Sequence, residues 1–142
     1  MENKKHPIKF VSACLAGAAC RYDGKSKTNQ IIQSWVESGE AIAICPEEMG
    51  GLPTPREPAE RIGSSVRGIT GSDVTSNYRE GAQKALECVL KSNATAAYLK
   101  SKSPMCGCGR IYDGTFSGQL IAGDGCFTEL LKEHHINIIE VD

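Results

Sequence analysis

Residues 30–45 have the sequence QIIQSWVESGEAIAIC, in which a helical pattern runs into an apolar segment. Apolar residues within 30–38 recur three or four positions apart, which predicts a helix with one buried face. Gly39 is a natural helix stop. Residues 41–45 contain no polar side chain, as expected of a strand that is buried on both faces. A helix that leads directly to such a strand indicates a parallel sheet covered by helices.

The same alternation continues along the rest of the chain. Further apolar segments have the length of short strands, and one long segment is apolar at helical spacing after Ser72 and Asp73, which can cap its first turn. The further predicted strands are 8–15, 94–100 and 136–141. The long predicted helix ends near residue 92, and a second predicted helix spans 127–134.

Long irregular segments separate these elements. Residues 46–71 contain four prolines and five glycines, which excludes one regular element there. A second such segment, residues 101–125, is predicted to include a hairpin around 110–120. The order of strands and helices predicts a single three-layer Rossmann-like α/β domain over residues 1–142, with a short, mostly parallel sheet flanked by helices.

Charge and hydropathy exclude two broad classes of function. The net charge is −1, whereas a protein that coats phosphate backbones is basic, so we do not expect a nucleic-acid polymer as partner. No apolar run approaches the ~20 residues that span a bilayer. Residues 1–6 are polar and unlike a signal peptide. A cytoplasmic protein with reduced thiols is expected.

The chain has seven cysteines, an odd number that complete disulfide pairing cannot use. No pair has C-x-x-C spacing, so neither a zinc ribbon nor a thioredoxin-type motif is supported. Free cysteines often act as small buried hydrophobes, which is the interpretation we favour for Cys88 and Cys126. Cys20 and Cys108 each lie in a loop near another cysteine of interest and stay undecided.

Three cysteines fall where predicted strands end. Cys14 lies near the end of the first strand, Cys45 ends the second, and Cys106 follows the third. Ligands of open α/β sheets bind beyond the carboxyl ends of the strands, so these thiols are expected to converge there. Three thiolates suit a soft metal: a zinc ion with a fourth ligand or an open position, or a [4Fe-4S] cluster with one free iron.

Four blocks of sequence carry a family resemblance. In this order they resemble the thiouracil desulfidase family of small bacterial proteins, long described as a domain of unknown function, over about residues 8–140. The blocks are VSACLAG (11–17) with RYDG (21–24), CPEEMGGLPTPR (45–56), KSKSPMCG (100–107), and IYDGTFSG (111–118) with GDG (123–125).

The resemblance implies a hydrolase that removes sulfur from a thiolated pyrimidine, which is thiouracil, its nucleoside or its nucleotide, without net redox change. It implies a [4Fe-4S] cluster held by Cys14, Cys45 and Cys106, with the fourth iron open to the thione sulfur. These are the same three thiols that the strand ends select. Relatives that act on thiolated RNA carry a second domain, so a small-molecule substrate is expected here.

Residues near these ligands are candidates for the proton chemistry. Glu47 is the expected base for water attack, with Glu48 as the alternative. Ser101 and Ser103 are expected to bond the pyrimidine or steer the water, although a loop serine can equally cap a turn. Lys27 and Arg56 are candidates for binding a phosphate.

Three other functions remain open from the residues alone. A zinc hydrolase would use the same thiolates, and a non-catalytic iron–sulfur or zinc-binding sensor or sulfur-handling protein would bind thiolated bases without turnover. A thiol-redox module is disfavoured by the absence of C-x-x-C. The oligomeric state is not predicted.

Overall fold

The computed structural model describes residues 8–142, and its central element is a sheet of four parallel strands. The elements in chain order are β1 (Lys9–Ser12), α1 (Gln30–Glu37), β2 (Ala41–Ile44), α2 (Pro46–Met49), β3 (Ala59–Ile62), β4 (Ser65–Gly68), α3 (Thr75–Ser92), β5 (Ala96–Lys100), β6 (Arg110–Tyr112), β7 (Leu120–Ala122), α4 (Cys126–Glu133) and β8 (Asn137–Val141).

The sheet order β2-β1-β5-β8 brings the carboxyl ends of its strands to one edge. The central strand β1 pairs with β2 and β5, so that Phe10 lies beside Ile42 and Ala97. β3 and β4 form a separate antiparallel hairpin, and β6 and β7 form another.

Helices cover both faces of this sheet. On one face Phe10 packs in a cluster with Leu86 of α3 and Phe127 of α4. On the other face Val11, the next residue along β1, packs with Ile32 of α1. Because successive side chains of a strand point to opposite faces, the two clusters are the two cores of a three-layer fold. The predicted α/β class with a parallel sheet flanked by helices is confirmed.

Some predicted boundaries are wrong. The first strand stops at Ser12, and residues 13–16 form a 3-10 turn, where the Ala18 amide bonds back to the Ala13 carbonyl at 3.1 Å. The apolar run continues past Ser12 because the 3-10 turn is buried, although the strand itself has ended. The predicted cap of α3 by Ser72 or Asp73 is wrong: the N-cap residue is Val74, without a side-chain cap bond, while Asp73 accepts the Thr75 amide at 3.0 Å from one residue earlier and Ser72 donates to Glu57. The hairpin predicted around 110–120 is present as β6 and β7.

The short helix α2 lies unusually close to α3. A Cβ atom at Gly81 would lie 1.9 Å from the Pro46 carbonyl oxygen, and one at Gly50 would lie 2.0 Å from the Asn77 carbonyl oxygen. Asn77 Nδ2 also donates to the Gly50 carbonyl at 2.8 Å. Only glycine permits this approach, which brings the first turn of α2 against α3.

Within residues 8–142, no helix is long and apolar enough to cross a bilayer. The expected absence of a signal peptide concerns residues 1–6, which lie outside the described part of the chain. That residues 1–142 form one domain stays a prediction.

Candidate functional site

A cavity of about 790 Å³ lies at the carboxyl edge of the sheet, and Cys14, Cys45 and Cys106 all line it. Cys14 sits in the turn after β1, and Cys45 follows β2 directly. Cys106 lies in the loop after β5. The parallel order of β2, β1 and β5 therefore gathers three thiols that are distant in sequence. We call these three residues the thiol edge.

The thiols of the thiol edge are largely shielded from water, and neighbouring groups shift their pKa values. Cys14 is 8% exposed and Cys106 is 7% exposed. Burial raises the pKa of Cys14 to about 11, with a further contribution from Cys45, while the Arg21 and Lys100 cations oppose it. Burial also raises the pKa of Cys106, partly offset by a hydrogen bond from Ser12. Metal ligation requires these thiols to lose their protons, and the two cations favour that loss at Cys14.

Cys20 is a fourth thiol in the cavity lining. Its hydrogen bond to Cys45 is the largest cause of a lowered Cys45 pKa and of a raised Cys20 pKa. A protonated Cys45 can instead donate to the Cys20 carbonyl, with Sγ 3.9 Å from the oxygen. Cys20 thus contacts Cys45 and supports its thiolate.

The remaining cysteines are arranged differently. Cys126 is half-buried against the core, in accord with a packing role. Cys88 is exposed, so its predicted burial as a small hydrophobe is wrong: α3 turns that position outward. Cys108 is half-buried and lies near Lys132, whose ammonium group is bonded to Asp124. Among the described residues, the cavity lining contains Cys20 but not Cys108.

Glu47 lines the cavity with its carboxylate held from two sides. Arg56 Nη2 lies 2.9 Å from Oε1, and the Tyr78 hydroxyl donates to Oε2 at 2.5 Å. Tyr78 is 2% exposed, and this burial raises its pKa. The nearby Glu47 carboxylate raises the pKa further. Glu48 is exposed and accepts the Thr54 hydroxyl at 2.6 Å, outside the cavity lining.

Arg56 is a poor match to the phosphate-binding role suggested for it. Its side chain is 7% exposed, and the guanidinium donates to the carbonyls of Cys20 and Pro53, at 3.1 and 3.0 Å, as well as to Glu47. These bonds fasten the second block of the sequence to the loop that carries Cys20. Arg56 therefore orients Glu47.

Ser101 and Ser103 also line the cavity. Ser101 is 5% exposed and donates to Asp142 Oδ1 at 2.5 Å. Ser103 Oγ accepts the Cys106 amide at 2.7 Å, the turn-capping contact that was the alternative interpretation of a loop serine. A hydroxyl that accepts this bond can still donate its own proton into the cavity.

Four cations belong to the same cavity wall: Arg21, Lys27, Lys100 and Lys102. Burial lowers the pKa of Lys100, with Asp142 opposing and the neighbouring Arg21 and Lys27 adding to the shift. Arg21 and Lys27 therefore lie near Lys100 on one wall of the cavity. Lys27 is exposed, so it is open to solvent ligands.

Sequence reasoning missed several lining residues. Tyr78 lies in the segment that is apolar at helical spacing, and this pattern predicts a packed helix face but not a hydroxyl that reaches another element. Ser12 lay inside an apolar strand. Tyr112 and Phe116 did stand in the fourth sequence block, which was the available signal.

Within residues 8–142, no three His, Cys, Asp or Glu side chains are arranged to hold one metal ion. The thiol edge instead presents separate thiols around a cavity that also contains a fixed carboxylate. The fold and this edge define an α/β protein with a candidate soft-metal centre beyond the carboxyl ends of its strands.

Comparison with known proteins makes the assignment specific. The family model for 2-thiouracil desulfurase matches residues 10–142, so the chain belongs to that family. The protein is similar to the uncharacterized protein YbbK of Bacillus subtilis (strain 168), at 43% identity over 140 residues, covering 92% of this chain and 93% of YbbK.

A solved structure is also similar. It is described as the [4Fe-4S]-dependent thiouracil desulfidase TudS (DUF523Vcz), with a TM-score of 0.90 and 45% identity, covering 95% of this chain and 91% of that one. The resemblance drawn from the four sequence blocks is confirmed, together with the fold class.

Proposed function

We propose that this chain is a non-redox desulfidase that hydrolyses a thiolated pyrimidine and uses a [4Fe-4S] cluster. Water replaces the C=S group with C=O, so that thiouracil and water give uracil and hydrosulfide with a proton, and no electrons are exchanged. The observation that carries the proposal is the convergence of Cys14, Cys45 and Cys106 on one cavity beside Glu47. Membership of the family and similarity to TudS support it.

The donor set fits such a cluster. Cysteine thiolates are the usual ligands of iron–sulfur clusters, and Arg21 and Lys100 offset the negative charge that thiolates bring to Cys14. Cys14, Cys45 and Cys106 would be the ligands, with Cys20 supporting Cys45 through its hydrogen bond. A cluster held by these residues would supply Lewis-acid chemistry toward the thione group of the substrate.

Glu47 is proposed as the general base for the attacking water. Its Oε1 is bonded to Arg56 and its Oε2 to Tyr78, which fixes the orientation of the carboxylate. Each carboxylate oxygen has a second lone-pair site that can accept a proton from water. Ser101 and Ser103 are proposed to steer the water or bond the pyrimidine, since both line the same cavity.

We further propose a thiolated nucleotide as the preferred substrate. The cavity of about 790 Å³ is in the range of drug-sized ligand sites and is larger than a free pyrimidine needs. Arg21, Lys27 and Lys100, which line the cavity, would meet the phosphate. A cytoplasmic location, with reduced thiols, stays part of the proposal, and the net charge of −1 favours a small molecule over a nucleic-acid polymer.

Turnover in isotopically labelled water tests this function. Anaerobically reconstituted protein is incubated with 2-thiouracil and with 2-thiouridine monophosphate in ¹⁸O-water, without electron donor or acceptor. The expected result is one hydrosulfide per uracil product, one ¹⁸O atom in that product, and a lower KM for the nucleotide. A requirement for a reductant contradicts the mechanism, and binding of the thiolated compounds without hydrosulfide favours the sensor alternative.

A further inference from the structure

The loop between β6 and β7 is part of the cavity wall but has no role in the proposed chemistry. Tyr112, Phe116 and Gly118 from residues 112–118, here called the aromatic loop, line the same cavity as the thiol edge. This loop is also the IYDGTFSG block of the sequence. Its position raises the question of what two aromatic side chains do beside a desulfidase centre.

A buried carboxylate holds this loop by its backbone. Glu60 on β3 is 8% exposed, and its Oε1 accepts the amides of Gly114 and Phe116 at 2.9 and 3.0 Å. None of the ion pairs found among residues 8–142 includes Glu60. Glu60 also lines the cavity, and a buried carboxylate whose Oε1 accepts two amides of one loop has a positioning role.

Two further contacts restrict the loop. Gly114 has φ of +95°, and a Cβ atom there would lie 2.3 Å from Ile62 Cγ1, so the backbone sits directly on the β3 side chain. Asp113 Oδ1 accepts both the amide and the hydroxyl of Thr115, at 2.9 and 2.6 Å. Contacts with β3 and hydrogen bonds inside the loop thus both fix its conformation.

Phe116 adopts a backbone conformation that phenylalanine disfavours. Its φ of +57° lies in the left-handed region, where a Cβ atom is crowded and glycine is preferred. Its side chain is only half-buried and lines the cavity. Packing alone does not account for a strained aromatic at such a site, and strain of this kind is found where a ligand is held.

We propose that the aromatic loop recognises the pyrimidine ring of the substrate. Phe116, together with Tyr112, provides an aromatic face on which the ring stacks, and Glu60 is the positioning residue that sets this face. The proposal rests on the proposed function only for the identity of the ligand. Stacking on an aromatic side chain is sequence-tolerant, so the loop would accept any thiolated pyrimidine and leave the thione to the thiol edge.

Substitution of Phe116 tests the stacking face in the reconstituted protein with 2-thiouracil as substrate. Phe116→Leu is expected to raise KM about tenfold, the lower part of the range for loss of one base–aromatic stack, and to leave kcat unchanged. Phe116→Tyr keeps the ring and is the matched control. Phe116→Gly is expected to raise KM equally without lowering Tm, because glycine relieves the left-handed strain.

Glu60 is tested by its coupling to Phe116. Glu60→Ala is expected to raise KM with kcat unchanged, and the double variant Glu60→Ala/Phe116→Leu to raise it no further than Phe116→Leu alone, since both act through one ring. Glu60→Gln retains one acceptor oxygen and is expected to restore most of the affinity. KM effects that multiply in the double variant would overturn the positioning role.

Binding of uracil separates this inference from the proposed function. Calorimetry of uracil, which has no sulfur, is expected to show binding to the unsubstituted protein, weaker binding of the non-aromatic 5,6-dihydrouracil, and loss of this difference in Phe116→Leu. That result supports the aromatic loop even if no hydrosulfide is ever released. The role of the aromatic loop is overturned if Phe116→Leu turns over substrate with unchanged KM and unchanged uracil affinity. It is also overturned if uracil and 5,6-dihydrouracil bind equally well. Either result leaves the proposed function standing.

Discussion

The thiol edge and the aromatic loop face the same cavity but are held in place by different means. Cys14, Cys45 and Cys106 follow strands whose positions are fixed by main-chain pairing in the parallel sheet. Residues 112–118 belong to a two-stranded hairpin outside that sheet, and the carboxylate of Glu60 accepts two of their amides. One side follows strands of the buried sheet, whereas the tip of the other is held by side chain–backbone bonds to Glu60.

The difference indicates how the two tasks of the site are divided. A cluster with three ligands needs their sulfur atoms at fixed separations, which a buried sheet supplies. Under our proposal, recognition of a substrate ring falls to hairpins whose outer residues, such as Ile62 at 51% and Ile121 at 46%, are exposed. Changes in the hairpins are therefore expected to alter substrate affinity, whereas changes near the sheet alter chemistry or stability.

Glu47→Gln is expected to separate chemistry from affinity most strongly. Loss of the general base lowers kcat by about 10²–10⁴-fold, because general-base catalysis contributes about that much. KM and iron content are expected to stay unchanged, the opposite of the Phe116 variants. The measurement is steady-state hydrosulfide release together with iron analysis.

Glu48→Gln is the matched control for that variant. Glu48 is exposed and bonded to Thr54, outside the cavity lining, so its substitution is expected to leave kcat unchanged. Equal losses in the two variants would contradict the assignment of the base to Glu47.

Gly81→Ala is expected to disturb the sheet side through backbone packing. The added Cβ would lie 1.9 Å from the Pro46 carbonyl oxygen, so α2 must move away from α3 and carry Glu47 with it. Overpacking of this kind costs about 2–3 kcal/mol in the free energy of unfolding, measured by urea denaturation.

Gln83→Ala is the control for Gly81→Ala, because Gln83 is an exposed residue of the same helix. Its effect is expected to stay within about 0.5 kcal/mol. The Gly81 variant is also expected to lower kcat more than it raises KM, and a change in KM alone would contradict the division between the two sides.

Acid is expected to loosen the first hairpin by a small amount. The Thr70 hydroxyl and amide, with Ser72, donate to Glu57, and these bonds, above all that from the Thr70 side chain, lower the pKa of the carboxyl. The stabilisation is complete above the unfolded pKa of about 4.3 and is lost as the pH falls through the lower folded value.

The expected readout is the difference in Tm between the unsubstituted protein and Glu57→Gln. It is expected to be positive at pH 6 and to vanish well below pH 4. A difference that stays constant across this range would show that the hairpin does not depend on the charge of Glu57.

Much of the fold and the convergence of the thiols were predictable because both follow from apolar strands in a parallel order. The hairpin of β3 and β4 was not, since its short strands carry Glu60, Arg61 and Arg67 and show no apolar run. Tyr78 reaches Glu47 because Gly50 and Gly81 allow α2 and α3 to approach closely. No local sequence pattern predicts this approach. The roles of Cys14, Cys45, Cys106, Glu47, Ser101 and Ser103 stay predictions.

The most direct test of the division is a count of iron and sulfide after anaerobic reconstitution. The unsubstituted protein is expected to bind near four irons and four sulfides per chain, as a [4Fe-4S] cluster requires. Ser substitutions of Cys14, Cys45 and Cys106 are each expected to lose the cluster, whereas Cys20→Ser and Phe116→Leu keep it. No cluster in the unsubstituted protein, or full retention in all three thiol-edge variants, would contradict the account.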